Sequence, residues 1–159
     1  MSIKLSSSVL LVEDVDKSRQ FYETLLEQVV ELDHGECVVF LGGFAIWDRD
    51  YANNLIFGQT KTTPHERNHD FELYFETDTL DEVFDKFKKA NIELVHPLVE
   101  QPWGQRVIRV YDPDRHIVEI GELMTIVIKR YLDQGMTVDD VAARTSMPVE
   151  VVRAVVQGS

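Results

Sequence analysis

Cysteine is nearly missing from the 159 residues: Cys37 stands alone. An internal disulfide framework is therefore excluded, and a reducing compartment, the cytoplasm, is expected. The surrounding run ECVVFL is apolar and strand-like, which points to an inert buried thiol rather than a nucleophile. Positive charge is scarce too, with 16 Lys and Arg against 28 Asp and Glu and a formal charge of −12. Binding along a nucleic-acid backbone needs a basic footprint, so no nucleic-acid partner is expected. No apolar run approaches the ~20 residues of a membrane span, and the opening MSIKLSSSVLLVED lacks the small-residue cleavage pattern of a secretory signal. A soluble protein without a membrane partner is the expectation.

What is present suffices for one ordinary domain with a short appendage, since 44% of residues are hydrophobic. The charge is unevenly spread. Residues 1–122 carry the whole net −12, whereas 123–159 hold four acidic and four basic side chains and are neutral. The composition changes at about Leu123.

Residues 7–12 (SSVLLV) predict a strand, and Asp14 or Asp16 can cap a helix whose Val15, Tyr22, Leu25 and Leu26 share a face. Val29–Leu32, Cys37–Leu41 and Phe44–Trp47 are β-type runs separated by glycine-containing turns. Residues 48–69 predict a long polar connection with one short helix around Tyr51–Phe57. The pattern then restarts. Asp70–Thr77 alternates, with Glu72, Tyr74 and Glu76 on one side. Thr79 and Glu82 form a capping box ahead of a Leu80, Val83, Phe84, Phe87 stripe. Ile92–Val95 is a strand, His96–Gly104 a loop, and Arg106–Tyr111 and His116–Ile120 flank the turn Asp112-Pro113-Asp114 as a hairpin. In its second arm Ile117, Glu119 and Gly121 face one way, and His116, Val118 and Ile120 the other.

Two β-α-β-β-β units result, about 5–48 and 70–122, offset by 65 residues so that Val15 matches Leu80 and Ser7 matches Glu72. Beyond them, Met124, Val127, Ile128, Tyr131 and Leu132 form an amphipathic stripe ended by Gly135. Thr137 with Asp140 opens a second helix, and Pro148 precedes a third. The spacing of this tail resembles a helix-turn-helix, yet its last helix offers only Arg153 and Gln157 among valines. Docking onto the long helix, the sheet or a second subunit is the reading.

The paired units, the DVDKSRQFYETLL helix entry, PWGQR and DPDRHIVEIGE together resemble the vicinal oxygen chelate superfamily, which includes glyoxalase I, extradiol dioxygenases, and fosfomycin- and bleomycin-resistance proteins. The resemblance covers roughly residues 5–122. It implies an α+β fold of paired βαβββ units forming a curved, cupped mixed sheet, here with a three-helix C-terminal extension at 123–159. It also implies a small-molecule ligand and a homodimer. Carried over by position, the metal ligands fall on Ser7, on Ala45 or Ile46, on Glu72 and on Glu119, with Asp48 two residues beyond Ile46. Only Glu72 and Glu119 are firm ligands. With the Ser7 hydroxyl they form a hard oxygen set that suits magnesium, manganese or calcium better than nickel or zinc.

Two functions remain open at this point. In the first, Glu72 and Glu119 are catalytic and hold a divalent metal in a glyoxalase-type lyase or isomerase, similar to lactoylglutathione lyase, with one carboxylate abstracting the proton beside a carbonyl. In the second, they line the wet pocket of a metal-free protein that binds a ligand or sequesters an antibiotic without catalysis. Tyr74, Trp103 and Arg106 are candidate substrate-binding residues. The indole offers stacking and the guanidinium a bidentate clamp. Their alternatives are a cavity wall for Tyr74, a core cap for Trp103 and a solvated position for Arg106. His65, His69 and His96 fall in loops, with His69 the one able to swing inward as a ligand, and His116 is read as half-buried. The acidity of the body disfavours an anionic ligand unless Arg106 or Arg109 turns inward.

Overall fold

The computed structural model describes residues 6–57 and 71–158. His65 and His69 lie outside them. The chain divides into two units, the first holding residues up to 57 together with Asp112–Arg115, the second holding 71–111 and 116–158.

In the first unit, β1 (Ser8–Val12) leads into α1 (Val15–Arg19), which continues as a π-helical segment (Gln20–Leu25). Asp14 is the cap, accepting the Lys17 amide at 2.9 Å. The wider turn shows in the bond from the Leu26 N–H to the Phe21 carbonyl. Then come β2 (Val30–Asp33), β3 (Cys37–Phe40), β4 (Phe44–Asp48) and α2 (Arg49–Phe57). The sheet order is β1-β4-β3-β2, with β1 parallel to β4 and the other pairs antiparallel. Leu10, Val12, Val38, Phe40, Phe44 and Ile46 are buried. Phe40 stacks on Phe44 at 4.7 Å and the buried Tyr22 ring leans on both. Each such side chain contributes ~2 kcal/mol by leaving water. The Tyr22 hydroxyl donates to Asp112 at 2.8 Å, and burial together with that carboxylate pushes the phenol well above its ordinary value. Asp114 accepts from the Glu13 amide, the Ser18 hydroxyl and Arg49. The DPD sequence thus supplies acceptors as well as a turn.

The second unit repeats the plan. It consists of β5 (Glu72–Thr77), α3 (Leu80–Lys89), β6 (Leu94–Glu100), β7 (Arg106–Tyr111) and β8 (Ile117–Glu122), in the order β5-β8-β7-β6 with β5 parallel to β8. Leu73, Ile108, Val110, Val118 and Ile120 share one face by register and are buried, as are Leu80 and Phe87 of α3. We call this the apolar face. Two local expectations change. The Thr79 hydroxyl caps no helical amide; instead the Thr79 N–H donates to Thr77 Oγ1 at 3.2 Å, so the box is not closed. Residues 96–100 are strand rather than loop. β6 is an edge strand with two register shifts, which is where a proline such as Pro97 is tolerated.

The tail forms α4 (Met124–Asp133), α5 (Val138–Thr145) and α6 (Val149–Gln157). Gly135, at φ 88°, ends α4, and the Thr137 hydroxyl accepts the Asp140 amide at 3.2 Å as cap of α5. Val127, Ile128, Tyr131, Val141, Ala142 and Val152 make a small core among these helices. Among the described residues no helix is long and apolar enough to cross a membrane.

Candidate functional site

Strand alternation gathers a set of polar residues of the second sheet on the face opposite the apolar one. Tyr74 pairs with Glu119 and Arg109 pairs with Glu119, so the three stand abreast on β5, β8 and β7. Glu72 and Glu76 flank Tyr74 on the same side of β5, and His96 of β6 pairs with Arg109. This is a polar row across four strands.

Arg109 is its hub. Its Nε donates to Glu72 at 3.0 Å, one terminal nitrogen lies 3.1 Å from His96 Nε2, and the other is ion-paired with Glu119. The imidazole's Nδ1 lies 2.7 Å from the Pro97 carbonyl, so a proton on Nδ1 and a lone pair on Nε2 satisfy both contacts. Glu119 is 5% exposed. Burial raises its carboxyl above the ordinary value, Arg109 pulls it down, and Glu72 adds to the rise. Its Oε2 is the oxygen that faces the Arg109 guanidinium.

Tyr74 forms the wall next to this cluster. Its hydroxyl donates to Glu76 at 2.8 Å and accepts from Gln105 Nε2 at 2.7 Å. Gln105 also donates to the Glu122 carbonyl at 2.7 Å and accepts from the Trp103 indole at 3.0 Å. Glycine at 121 leaves room for this wall, because a Cβ there would meet Gln105 Nε2 at 2.8 Å and the Tyr74 ring at 3.1 Å. Burial, with Glu76 and Glu119 adding, pushes the Tyr74 phenol up to about 12 against the pull of Gln105.

The structure therefore gathers Glu72, Glu119 and Tyr74 on one face, with Trp103 linked to them through Gln105. Arg106 is not among them. It lies at the end of the apolar face, where its Nε meets Glu122 at 2.7 Å and its terminal nitrogens meet Asp81. Ser7 precedes β1 in the first unit and its hydroxyl donates to the Ser8 carbonyl. Of the two candidates in β4, Ala45 pairs with Val9 and with Val39, while Ile46 is in the core. Asp48 is occupied in accepting the Tyr51 amide at 2.7 Å, next to α2. Cys37 is half-buried and its thiol is raised by burial. It lines an apolar cavity of about 370 Å³ with Val9, Trp47, Tyr51 and Leu55, rimmed by His34 and Glu36.

Matching the two units strand for strand aligns Val9, Ala45 and Val39 with Tyr74, Glu119 and Arg109. At these three matched positions, charge is carried by the second unit alone. His96 and Gln105 were not singled out from the sequence as site residues. The signal for His96 was hidden by Pro97.

A resident divalent ion does not fit these residues. A guanidinium is a permanent cation, and Arg109 directs a nitrogen at each of Glu72, His96 and Glu119, the donors that such an ion would need. Among the described residues no three His, Cys, Asp or Glu side chains are grouped to hold a metal.

Comparison with known proteins bears on the fold. A profile of the glyoxalase-like domain family matches residues 5–125. A protein of unknown function from Agrobacterium tumefaciens is 34% identical, covering 77% of this chain and 96% of its own, with a TM-score of 0.72. A lactoylglutathione lyase from the same species, at 20% identity, covers 77% and 95% with a TM-score of 0.59. The fosfomycin resistance protein FosX of Listeria monocytogenes, at 21%, covers the same shares with a TM-score of 0.58. The last two establish likeness of fold alone. No curated protein matches the chain.

Proposed function

Because the chain belongs to the glyoxalase-like domain family, we propose that it is a small-molecule-binding protein that holds its ligand on the polar row of the second sheet without a divalent metal. Metals are common in the superfamily. Here the observation that carries the reading is Arg109, a permanent cation already paired with both of the carboxylates that would have to ligate a metal. With Arg109 committed to Glu72 and Glu119, and Glu76 alongside, the row has no surplus positive charge. It suits a neutral or cationic oxygen- or nitrogen-bearing ligand better than an anion. Tyr74, 48% exposed, supplies a ring face for stacking. Cytoplasmic residence and a homodimer belong to the same reading. The test is equilibrium dialysis against magnesium, manganese, nickel and zinc, with the bound metal measured by mass spectrometry. The reading expects substoichiometric metal in the purified protein; one equivalent that disappears in Glu119→Gln would overturn it.

A second reading has its own observation. Glu119 is a buried carboxylate whose affinity for protons is raised and whose Oε2 lies against the Arg109 guanidinium. Such a group can accept a proton from carbon next to a carbonyl, while Arg109 steadies the oxygen where negative charge develops. That is a glyoxalase-type lyase or isomerase that uses an arginine as its cation. Isomerisation of a 2-oxoaldehyde–glutathione adduct in the presence of chelator, abolished by Glu119→Gln, would support it. No turnover with or without added metal leaves the binding protein.

A further inference from the structure

The family match ends at residue 125, two residues into α4. The helix that begins there reaches back to the loop carrying Trp103 and Gln105. Arg130 donates to both oxygens of Glu122, at 3.0 and 2.9 Å, and to the Gly104 carbonyl at 2.5 Å. Its neighbour Tyr131 donates to Glu100 at 3.3 Å and packs so close to Gly104 that a Cβ at that position would lie 2.0 Å from its hydroxyl. Gly104 is also left-handed, at φ 85°, so only glycine satisfies both demands. The loop itself is closed by bonds from the Gln101 N–H to the Gln105 carbonyl and from the Gly104 N–H to the Gln101 carbonyl, both 2.8 Å. One residue past the carbonyl held by Arg130 is Gln105, 3% exposed, which hydrogen-bonds the Tyr74 hydroxyl.

We propose that the helical tail sets the wall of the ligand site, with Arg130 as the positioning residue that fixes the 101–105 loop and through it the Gln105–Tyr74 contact. The chain of contacts is short and continuous: guanidinium to the Gly104 carbonyl, peptide to Gln105, amide to phenol. A backbone carbonyl held by a charged donor is a strong anchor, and Glu122 fixes that donor from the other side. Moving α4 away leaves the Gly104 carbonyl without its charged donor and takes one of its two guanidinium partners from the buried Glu122 carboxylate, so the tail and the loop shift together. That this wall borders a ligand rests on the reading of the polar row above; the coupling of tail to wall does not.

The experiment uses the full chain in a Trp47→Phe background, leaving Trp103 as the sole indole. Arg130→Met is compared with Arg130→Lys, with helix content followed by far-UV circular dichroism. For Arg130→Met we expect red-shifted Trp103 emission and greater quenching by acrylamide. Amide exchange at Gln101 and Gly104 should speed up by roughly tenfold, and the Tyr74 phenol should titrate higher than in the native protein, because the Gln105 hydrogen bond that pulls it down is loosened. Arg130→Lys should recover part of each change. Tyr131→Leu keeps the tail core apolar while removing the contact with Gly104, and should move the same signals less; it serves as the second variant if Arg130→Met unfolds. Native Trp103 emission, exchange and Tyr74 titration in a folded Arg130→Met protein would overturn the proposal. These readings are taken without ligand or metal, so a metal found at Glu119 would sink the functional reading and leave this one standing.

Discussion

Glu119 and Glu122 lie three residues apart on β8, both buried, on opposite faces of the sheet, and replacing each by glutamine should move stability in opposite directions. Glu122 is the first case. Its side chain is 3% exposed and receives the Arg106 Nε at 2.7 Å, the Arg106 amide at 3.1 Å and Arg130 at 2.9 and 3.0 Å. Burial favours the neutral acid, but these donors outweigh it and hold the carboxyl below its ordinary 4.5. Glu122→Gln keeps the shape, loses the charge and leaves Arg106 with Asp81 as its remaining ion partner. Removing one member of a buried pair costs 3–5 kcal/mol, and both guanidinium groups stay partly solvated, so we expect a loss of ~2–4 kcal/mol. At ~2–4 °C per kcal/mol for a chain of this size, Tm should fall by roughly 5–15 °C. The pH dependence follows from the lowered value. The stabilisation is complete above 4.5 and is lost as pH falls through the folded-state value, so the gap between variant and native protein should narrow in acid. Glu119 is the reverse. Its raised value means that burial of the charge outweighs the help from Arg109, so Glu119→Gln should stabilise at pH 7, and the gain should vanish below 4.5, where the native carboxyl is protonated in both states. Urea melts of the three proteins between pH 4 and pH 8 read both effects. Equal losses for the two variants at pH 7, or a Glu122→Gln penalty below ~1 kcal/mol, would refute this account of the buried charges.

Other consequences can be measured separately. Gly121→Ala puts a methyl group against Gln105 and Tyr74, so it should cost ~1–3 kcal/mol by overpacking, and it should shift Trp103 fluorescence because the Gln105–Trp103 bond is part of the same wall. Tyr74→Phe should delete one phenol transition, centred near 12, from the ultraviolet difference titration; a tyrosine lost from the region around 10 instead would show that the Tyr74 hydroxyl is solvated. Gln105→Ala should bring the Trp103 emission toward that of a solvated indole, since its Nε1 partner is removed.

The architecture could be read from the chain because period-two alternation and helix caps are local signals. Asp70–Thr77 and the final hairpin carry them clearly, and the 65-residue offset places α1 and α3 correctly. The offset slips later, because the second unit holds the extra 101–105 loop and then a longer turn between β7 and β8; Val39 therefore matches Arg109, 70 positions on, and Ala45 matches Glu119, 74 positions on. Glu72, Tyr74 and Glu119 share a face because alternation says so. Arg109 was within reach as well: closing the hairpin at Tyr111 and Ile117 sets it opposite Glu119. Arg106 was misplaced by proximity to the PWG loop, although its even-numbered position puts it with Ile108 and Val110. His96 was assigned to a loop because Pro97 suggests one, and only the position of β6 at the sheet edge makes that proline acceptable. No local signal announces Arg130 at the Gly104 carbonyl, a contact 26 residues apart.

The matched positions of the two units also constrain the order in which such a cluster can arise. Ala45 is 2% exposed, so a carboxylate arriving there first would be an uncompensated interior charge, whereas an arginine replacing half-buried Val39 can reach water along its own methylene stem. A history that leads to Arg109 and Glu119 therefore passes most easily through the cation first. The first unit has valine and alanine at these two positions.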